Sequence, residues 1–255
     1  DLPGRPGINP LRVSKVVHVP KEDLDALSRI ANKTNLNGYQ NILRAEGYLP
    51  PAKPDALSFC DTQFRVGEPH ISYTLSEYDM GRIEQAIQDA KFQADVVLIS
   101  VHNHSICGER KEEVPDFLIE FAHRCIDAGA HAILGHGPHL LQAVEIYKGL
   151  PIFYSLGDFV LQLENCTIVP DDYYRKYGLT PESGIYEVFK TRTKDFKVGL
   201  QYQRTMMEAV IPCFEIEDGK LTHLKMIPIE LGFGMKHSQI GWPRVAKNSN
   251  ILQRL

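Results

Sequence analysis

The chain has 255 residues, of which 43% are hydrophobic and 24% are charged, a composition typical of a folded globular protein long enough to bury a sizeable core. The formal net charge of −4 argues against a nucleic acid as partner, because such partners select basic surfaces. The five cysteines show no CxxC spacing, which argues against a disulfide framework and against a cysteine-based zinc knuckle.

The first part of the chain alternates between strand and helix patterns. The segment "LRVSKVVHV" (residues 11–19) predicts a strand, and "PKEDLDALSRIAN" (residues 20–32) predicts a helix that proline opens. A second strand is predicted over roughly residues 56–66. Ser76 is the predicted cap of the next helix, whose apolar stripe consists of Met80, Ile83, Ile87 and Ala90.

The middle of the chain has a β-α-β pattern. The apolar run "ADVVLISVH" (residues 94–102) predicts a strand that is buried on both faces. A helix opened by Pro115 and ended by Gly129 follows, and "AILGH" (residues 132–136) predicts a second buried strand. Such strands run parallel, so their carboxyl ends should lie at one edge of the sheet, where open α/β sheets bind ligands.

The last part of the chain favours antiparallel strands. Two strands are predicted around the turn Lys148–Gly149, and a hairpin is predicted with Asp218–Gly219 at its turn. Residues 163–205 are polar and irregular, which is typical of an insertion. Parallel strands followed by antiparallel strands indicate an α/β protein with two packed sheets and helices outside them.

Six of the ten histidines lie between His102 and His139. Neutral imidazole is the commonest metal ligand in proteins. Gly137 and Pro138 rule out a helix between His136 and His139, so these two histidines should share a tight loop at one strand end. His102 should reach the same point from the neighbouring strand. The pattern therefore predicts metal or phosphate binding by His102, His136 and His139.

The remaining polar residues leave alternatives open. His104 is either a group that faces substrate or a polar loop residue, and Asp158 either orients a histidine or caps a turn. His123 is predicted to be exposed on its helix. Structural or surface positions are predicted for His18, His70, His223 and His237. No carboxylate metal motif precedes Ile99, so either the site holds one ion or further ligands lie before Asp1.

The run from Ser100 to Phe159, "SVHNH…VPDFLIEFAHRCIDAGAHAILGHGPHLLQAVEIYKGLPIFYSLGDF", closely resembles the bacterial CapA-type poly-γ-glutamate capsule biosynthesis proteins. These proteins belong to the calcineurin-like metallophosphoesterase superfamily. The resemblance extends to "GRPGINPLR" at the start and "WPRVAKNSNILQRL" at the end. Because the "GD" and "NH" motifs of the family's first half do not occur before Ile99, the chain resembles the C-terminal portion of such a protein.

The resemblance implies a four-layer α/β/β/α metallophosphatase-like sandwich, incomplete at its N-terminus, as one partial domain over residues 1–255 with the insertion at about 163–205. It assigns metal ligation to His102, His136 and His139, and catalysis to His104. Asp158 and Asn103 would contact substrate or support the ligands. The implied cofactor is one or two divalent transition-metal ions, of manganese, iron or zinc.

The resulting hypothesis is a protein of poly-γ-glutamate or capsule polymer synthesis or processing, with a metal-dependent, phosphoesterase-like hydrolase site. Its substrate would be an anionic polymer or a phosphoester. The alternatives are a non-catalytic scaffold or binding module for membrane-bound capsule synthase subunits, and a small-molecule metallophosphatase. The sequence does not fix the cellular location, and association with the cell envelope is expected if an N-terminal anchor precedes this chain.

Overall fold

The computed structural model describes residues 7–236, 238–247 and 249–255. The strands are β1 (Val13–Val19), β2 (Ala56–Phe59), β3 (Thr62–Val66), β4 (His70–Leu75), β5 (Leu98–His102), β6 (Ala132–His136), β7 (Val144–Tyr147), β8 (Leu150–Phe153), β9 (Glu208–Glu217), β10 (Lys220–Glu230) and β11 (Arg244–Val245). The α-helices are α1 (Lys21–Lys33), α2 (Gly38–Ala45), α3 (Glu77–Lys91), α4 (Asp116–Ala128), α5 (Asp171–Lys176) and α6 (Gly184–Arg192). The chain divides within α3 into two compact units, one ending at Ile83 and one beginning at Glu84.

The first unit contains a four-stranded sheet in the order β2-β3-β1-β4. Strand β1 pairs in parallel with β3 and antiparallel with β4. Helix α1 packs against β2 and β3 and buries Leu24 and Ala31. The predicted strand and helix in residues 11–32 are confirmed.

The strand predicted over residues 56–66 is wrong in one respect, since the structure has a hairpin there. Strands β2 and β3 pair antiparallel, and the chain turns at Cys60 and Asp61. Both turn residues have left-handed backbone conformations, with φ of 47° and 58°. Glycine or asparagine usually marks such a turn, and neither is present at these two positions.

Asp79 is a buried carboxylate that connects the start of β1 to α3. It accepts hydrogen bonds from the backbone nitrogen of Arg12 at 2.9 Å, from its Nε at 2.9 Å and from its Nη2 at 3.0 Å. The backbone nitrogen of Asp79 donates to Ser76 Oγ at 3.3 Å, which confirms Ser76 as the cap of α3. The hydrogen bonds from Arg12 hold the pKa of Asp79 well below its usual range.

Replacing Asp79 with asparagine should lower the Tm by several degrees at neutral pH. Because the folded-state pKa is depressed, this stabilisation is fully present above the unfolded-state pKa of about 3.9 and is lost as the pH falls towards the folded-state pKa. Thermal unfolding followed by circular dichroism should therefore show a Tm difference that shrinks below about pH 4. Asp25→Asn is the control, since Asp25 forms an exposed ion pair with Lys21 and should change the Tm little. A Tm difference that stays constant with pH would contradict the assignment.

The second unit contains a four-stranded sheet in the order β5-β6-β8-β7. Strand β6 pairs in parallel with both β5 and β8, while β7 and β8 form the predicted hairpin at Lys148–Gly149. Helix α4 packs against β6 and ends at Gly129, whose φ is 113°. Its buried residues include all of those predicted to face inward, namely Leu118, Phe121, Ala122 and Cys125. The parallel β-α-β prediction is confirmed.

Strand β5 is the exception to the predicted burial. It begins only at Leu98, and Leu98, Ser100 and His102 on one face are exposed. The prediction of burial on both faces is wrong, since these three side chains are exposed. Strand β5 also lies at the edge of its sheet, with β6 as its one neighbour among the described strands. A continuous apolar sequence therefore does not show that both faces of this strand are buried.

A second sheet of this unit has the order β11-β10-β9. Strands β9 and β10 form the predicted hairpin, and its turn residues Asp218 and Gly219 have φ of 49° and 72°. The rings of Phe153 in β8 and Phe214 in β9 lie 5.9 Å apart, so side chains of the two sheets meet. The α/β class with antiparallel strands after parallel ones is confirmed.

Residues 163–205 contain α5 and α6, with short 3-10 helices before, between and after them. Further along, a 3-10 helix spans Ser249–Arg254. In the part of the chain that the structure describes, no helix combines the length and apolar character needed to cross a lipid bilayer.

Candidate functional site

The two histidine clusters lie at the carboxyl ends of neighbouring parallel strands. His102 ends β5 and His136 ends β6, and these two residues are directly paired in the strand register. The backbone nitrogen of Asn103 donates to the carbonyl oxygen of His136 at 2.9 Å, which extends the pairing into the loops. The sheet thus brings the predicted ligands to one edge.

His102 is the central imidazole of this cluster. Its Nδ1 lies 2.6 Å from Nδ1 of His136, and its Nε2 lies 2.9 Å from Nε2 of His104. On the far side, Nε2 of His136 lies 2.9 Å from Ser100 Oγ. The result is a hydrogen-bonded chain of three imidazoles, and two neutral tautomer patterns satisfy it in opposite directions.

His139 adds a fourth imidazole from the loop after β6. Its ring centroid lies 5.4 Å from that of His104, and its Nδ1 lies 3.0 and 3.1 Å from the two carboxylate oxygens of Asp158. The φ of His139 is 64°, a left-handed conformation that is uncommon outside glycine and often occurs at functional sites. Asp158 is therefore placed where it can orient His139, as one of its two predicted roles requires.

Two glycines allow the loops to approach each other. A Cβ atom on Gly137 would lie 2.3 Å from the carbonyl oxygen of Asn103, and one on Gly135 would lie 2.1 Å from that of Tyr154. Both contacts are with backbone atoms, which cannot rotate away. Glycine at residue 137 thus allows the loop after β6 to approach Asn103, and glycine at residue 135 allows β6 to approach Tyr154.

Burial and the neighbouring His102 lower the pKa of His136. His136 is accordingly neutral at neutral pH. Neutral imidazole is the form that binds metal ions. The lowered pKa of His136 thus favours the protonation state that a metal ligand requires.

The donor chemistry of the cluster fits a divalent transition metal, since it combines four imidazoles with one carboxylate. The present side-chain arrangement is that of hydrogen-bonded imidazoles, because His102 uses different ring nitrogens towards its two neighbours. Two nitrogens bound to one tetrahedral zinc ion would lie about 3.3 Å apart and point to one centre. Accordingly, among the described residues no three His, Cys, Asp or Glu side chains are arranged so that they could hold a metal ion.

The side chain of Asn103 forms its hydrogen bond with the turn after β5. Its Oδ1 accepts a hydrogen bond from the backbone nitrogen of Ser105 at 3.1 Å and so stabilises the turn after β5. Its Nδ2 is buried and has no partner within the described part of the chain. The predicted substrate or supporting role of Asn103 stays a prediction.

Sequence reasoning missed two residues that build this site. Ser100 forms a hydrogen bond with His136. Strand alternation places residues 100 and 102 on the same face of β5, and this pattern could have identified Ser100 from the sequence. Gln142 is buried, and its Nε2 donates to the carbonyl oxygens of Lys111 and Glu113, which anchors the loop between β5 and α4. No local pattern marks such a long-range contact.

The other histidines lie outside the cluster. The prediction that His123 is solvent-exposed is wrong, because its ring stacks on Tyr147 at 3.8 Å and its Nε2 lies 2.9 Å from Glu145 Oε1. His18 and His70 stack on each other at 4.1 Å in the first unit. His223 is exposed, and His237 lies outside the described residues.

Comparison with known proteins places the chain in a family. The family model described as "Bacterial capsule synthesis protein PGA_cap" matches residues 26–163, which is more than half of the chain. The chain is 30% identical over its full length to the protein y4sH of Sinorhizobium fredii, of which it covers 55%. It is 33% identical to the PGA biosynthesis protein CapA of Bacillus subtilis, over 53% of this chain and 37% of that protein. With the capsule biosynthesis protein CapA of Bacillus anthracis the identity is 41%, over 31% of this chain and 18% of that protein.

The chain therefore belongs to the PGA_cap family of bacterial capsule synthesis proteins. The resemblance to CapA-type proteins is confirmed. The chain spans about half the length of y4sH and a smaller share of the two CapA proteins. The family match covers both histidine clusters and Asp158.

Proposed function

We propose that this chain acts in the synthesis or processing of poly-γ-glutamate or a similar anionic capsule polymer, through a metal-dependent, phosphoesterase-like hydrolase site. The observation that supports this proposal is the convergence of His102, His104, His136 and His139 at one sheet edge. Surface histidines with no shared task would not be expected to meet there from two separate strand ends.

In this proposal His102, His136 and His139 hold the metal, with Asp158 orienting His139 through its Nδ1. A divalent transition ion at this site would supply electrostatic stabilisation to a reacting phosphoryl group. His104 is exposed at the outer end of the imidazole chain. The role proposed for His104 is to donate a proton to the leaving group.

Metal content is the direct test of the proposal. Protein purified without chelator should carry one or two manganese, iron or zinc ions per chain by elemental mass spectrometry. The triple variant with His102, His136 and His139 all replaced by alanine should carry none. His102 is exposed, and His136 and His139 are half-buried and not part of the buried core, so circular dichroism should show the variant folded.

Turnover is the second part of this test. Metal-loaded wild-type protein should hydrolyse a chromogenic aryl phosphodiester, and the triple variant should not. A wild-type protein that stays metal-free and folded after incubation with these ions would contradict the hydrolase proposal. A metal-loaded protein that hydrolyses small phosphomonoesters but no diester or polymer would favour the small-molecule metallophosphatase.

The hydrogen bonding among the imidazoles favours a second candidate function, a non-catalytic scaffold or binding module of a capsule synthase complex. Imidazoles that form hydrogen bonds with one another have partners for their ring nitrogens without a metal ion. The exposed edge of β5 offers backbone groups for pairing with another chain. A stable metal-free protein that co-purifies with membrane-bound synthase subunits would support this candidate over the hydrolase.

We also propose that the four-layer α/β/β/α sandwich is the architecture in which this site works. The two sheets contact each other through Phe153 and Phe214, and α4 packs against β6. These contacts support three of the four layers, namely one helical layer and two sheets. The single domain over residues 1–255 with an insertion at 163–205 likewise stays a prediction.

A further inference from the structure

A cavity of about 340 Å³ lies in the second unit, away from the imidazoles. It is formed by the segment after α6 and the glycine-rich loop that follows β10. Its volume falls within the range of about 300–1,000 Å³ that is typical of small-molecule sites. The cavity is therefore large enough for part of a chain-like ligand.

The walls of the cavity are aromatic and apolar, and its polar groups are few. Phe196, Tyr202 and Phe233 line it together with Met235. The side chain of Gln201 also lines it, is 4% exposed, and donates through Nε2 to the carbonyl oxygen of Leu161 at 3.3 Å. Ligand pockets commonly combine such apolar walls with a small number of fixed polar groups.

The charge at this cavity is positive. Lys197 is exposed and is the one charged residue among the described lining residues. The guanidinium carbon of Arg204 lies 4.9 Å from the ring centroid of Phe233, which brings a second cation to the same wall. The cavity therefore favours a ligand that combines an anionic group with an aliphatic or planar body.

The loop that carries Lys197 is fixed by its backbone. Three consecutive residues, Lys194, Asp195 and Phe196, have left-handed φ between 50° and 61°. Thr193 is buried and accepts a hydrogen bond at Oγ1 from the backbone nitrogen of Phe196. Its carbonyl oxygen accepts another from the backbone nitrogen of Lys197. The backbone from which the Lys197 side chain extends is thus held in a defined conformation.

The cavity is connected to the histidine cluster through the chain itself. Leu161, whose carbonyl oxygen accepts from Gln201, lies three residues after Asp158. The backbone nitrogen of Leu161 donates to the carbonyl oxygen of Gly241 at 3.1 Å, so Leu161 is hydrogen-bonded to both Gln201 and Gly241. The cavity is thus tied by one hydrogen bond to the chain segment that follows Asp158.

We propose that this cavity binds a carboxylate carried on a short aliphatic stem, and that its ligand is a segment of a γ-linked glutamyl chain. The preference for a carboxylate follows from Lys197, Arg204 and the apolar walls, whereas the choice of a glutamyl chain rests on the proposed function. A glutamyl unit offers one carboxylate, a planar amide for the aromatic walls and a short stem for the apolar ones.

Calorimetric titration of the full chain with a γ-linked glutamate tetramer tests this proposal. The tetramer should bind more tightly than the neutral tetramer in which each free carboxylate is an amide. Lys197→Gln should weaken binding of the charged tetramer by about threefold to tenfold, and Phe233→Ala by a similar factor. Lys194→Gln is the matched control, because Lys194 is an exposed lysine of the same loop that does not line the cavity.

Three results would overturn the proposal. The first is equal affinity for the charged and neutral tetramers, and the second is an equal loss of affinity in Lys194→Gln and Lys197→Gln, which indicates non-specific attraction. The third is loss of tetramer binding in the triple histidine variant, which would place the ligand at the imidazoles. Because binding is measured without turnover, a failure of the hydrolase proposal leaves this result unaffected, and the two failures can be told apart.

Discussion

Gly137→Ala is expected to lower the free energy of unfolding by at least about 3 kcal/mol, and the yield of folded protein with it. Two costs combine at this residue. The φ of Gly137 is 127°, a conformation that side chains with a Cβ rarely adopt. The new Cβ would also lie 2.3 Å from the oxygen and 2.8 Å from the carbon of the Asn103 carbonyl. Both atoms are backbone, so relief requires the two histidine loops to separate.

Urea unfolding followed by circular dichroism measures this loss. Gly149→Ala is the matched control, because Gly149 has a φ of 83° and nothing lies within 4 Å of a Cβ built there. Only the conformational cost of about 1–2 kcal/mol applies to it. The difference between the two variants therefore isolates the contact between the loops. If both variants lost the same free energy, the close approach of Gly137 to Asn103 would not hold the site together.

Much of the fold could be predicted from local patterns. The turns at Lys148–Gly149 and Asp218–Gly219 and the end of α4 at Gly129 were marked by glycine at left-handed positions. The parallel pairing of β5 and β6 followed from the β-α-β order alone. The same order predicted that both histidine clusters would share one sheet edge.

What could not be predicted depends on contacts between distant residues. The edge position of β5 is set by which strands pair, and its apolar sequence reads the same in an edge strand and in a central one. The partial burial of His123 depends on Tyr147 and Glu145, which lie on another element. Likewise, the cavity at Lys197 is built by two segments more than 30 residues apart, neither of which has a recognisable motif.

His102→Ala is expected to reduce the affinity for manganese or zinc by at least about 100-fold, because the central imidazole contacts both His136 and His104. The side chain of His102 is exposed, so its loss should change the free energy of unfolding by no more than about 0.5 kcal/mol. Titration against a metal-binding dye measures the affinity. Under the same conditions His104→Ala should leave the affinity nearly unchanged but reduce phosphodiester turnover by about 100-fold or more, as expected for a proton donor.

His223→Ala provides the control for both variants, since His223 is an exposed histidine of β10 outside the cluster. It should bind metal and turn over substrate like the wild type. A loss of metal affinity shared equally by all three variants would mean that the ions bind histidines non-specifically. If His104→Ala lost as much affinity as His102→Ala, His104 would be a ligand, and the proton donor would have to be sought elsewhere. The roles proposed for these two neighbouring imidazoles are supported only if His102→Ala loses metal affinity while His104→Ala keeps the affinity and loses turnover.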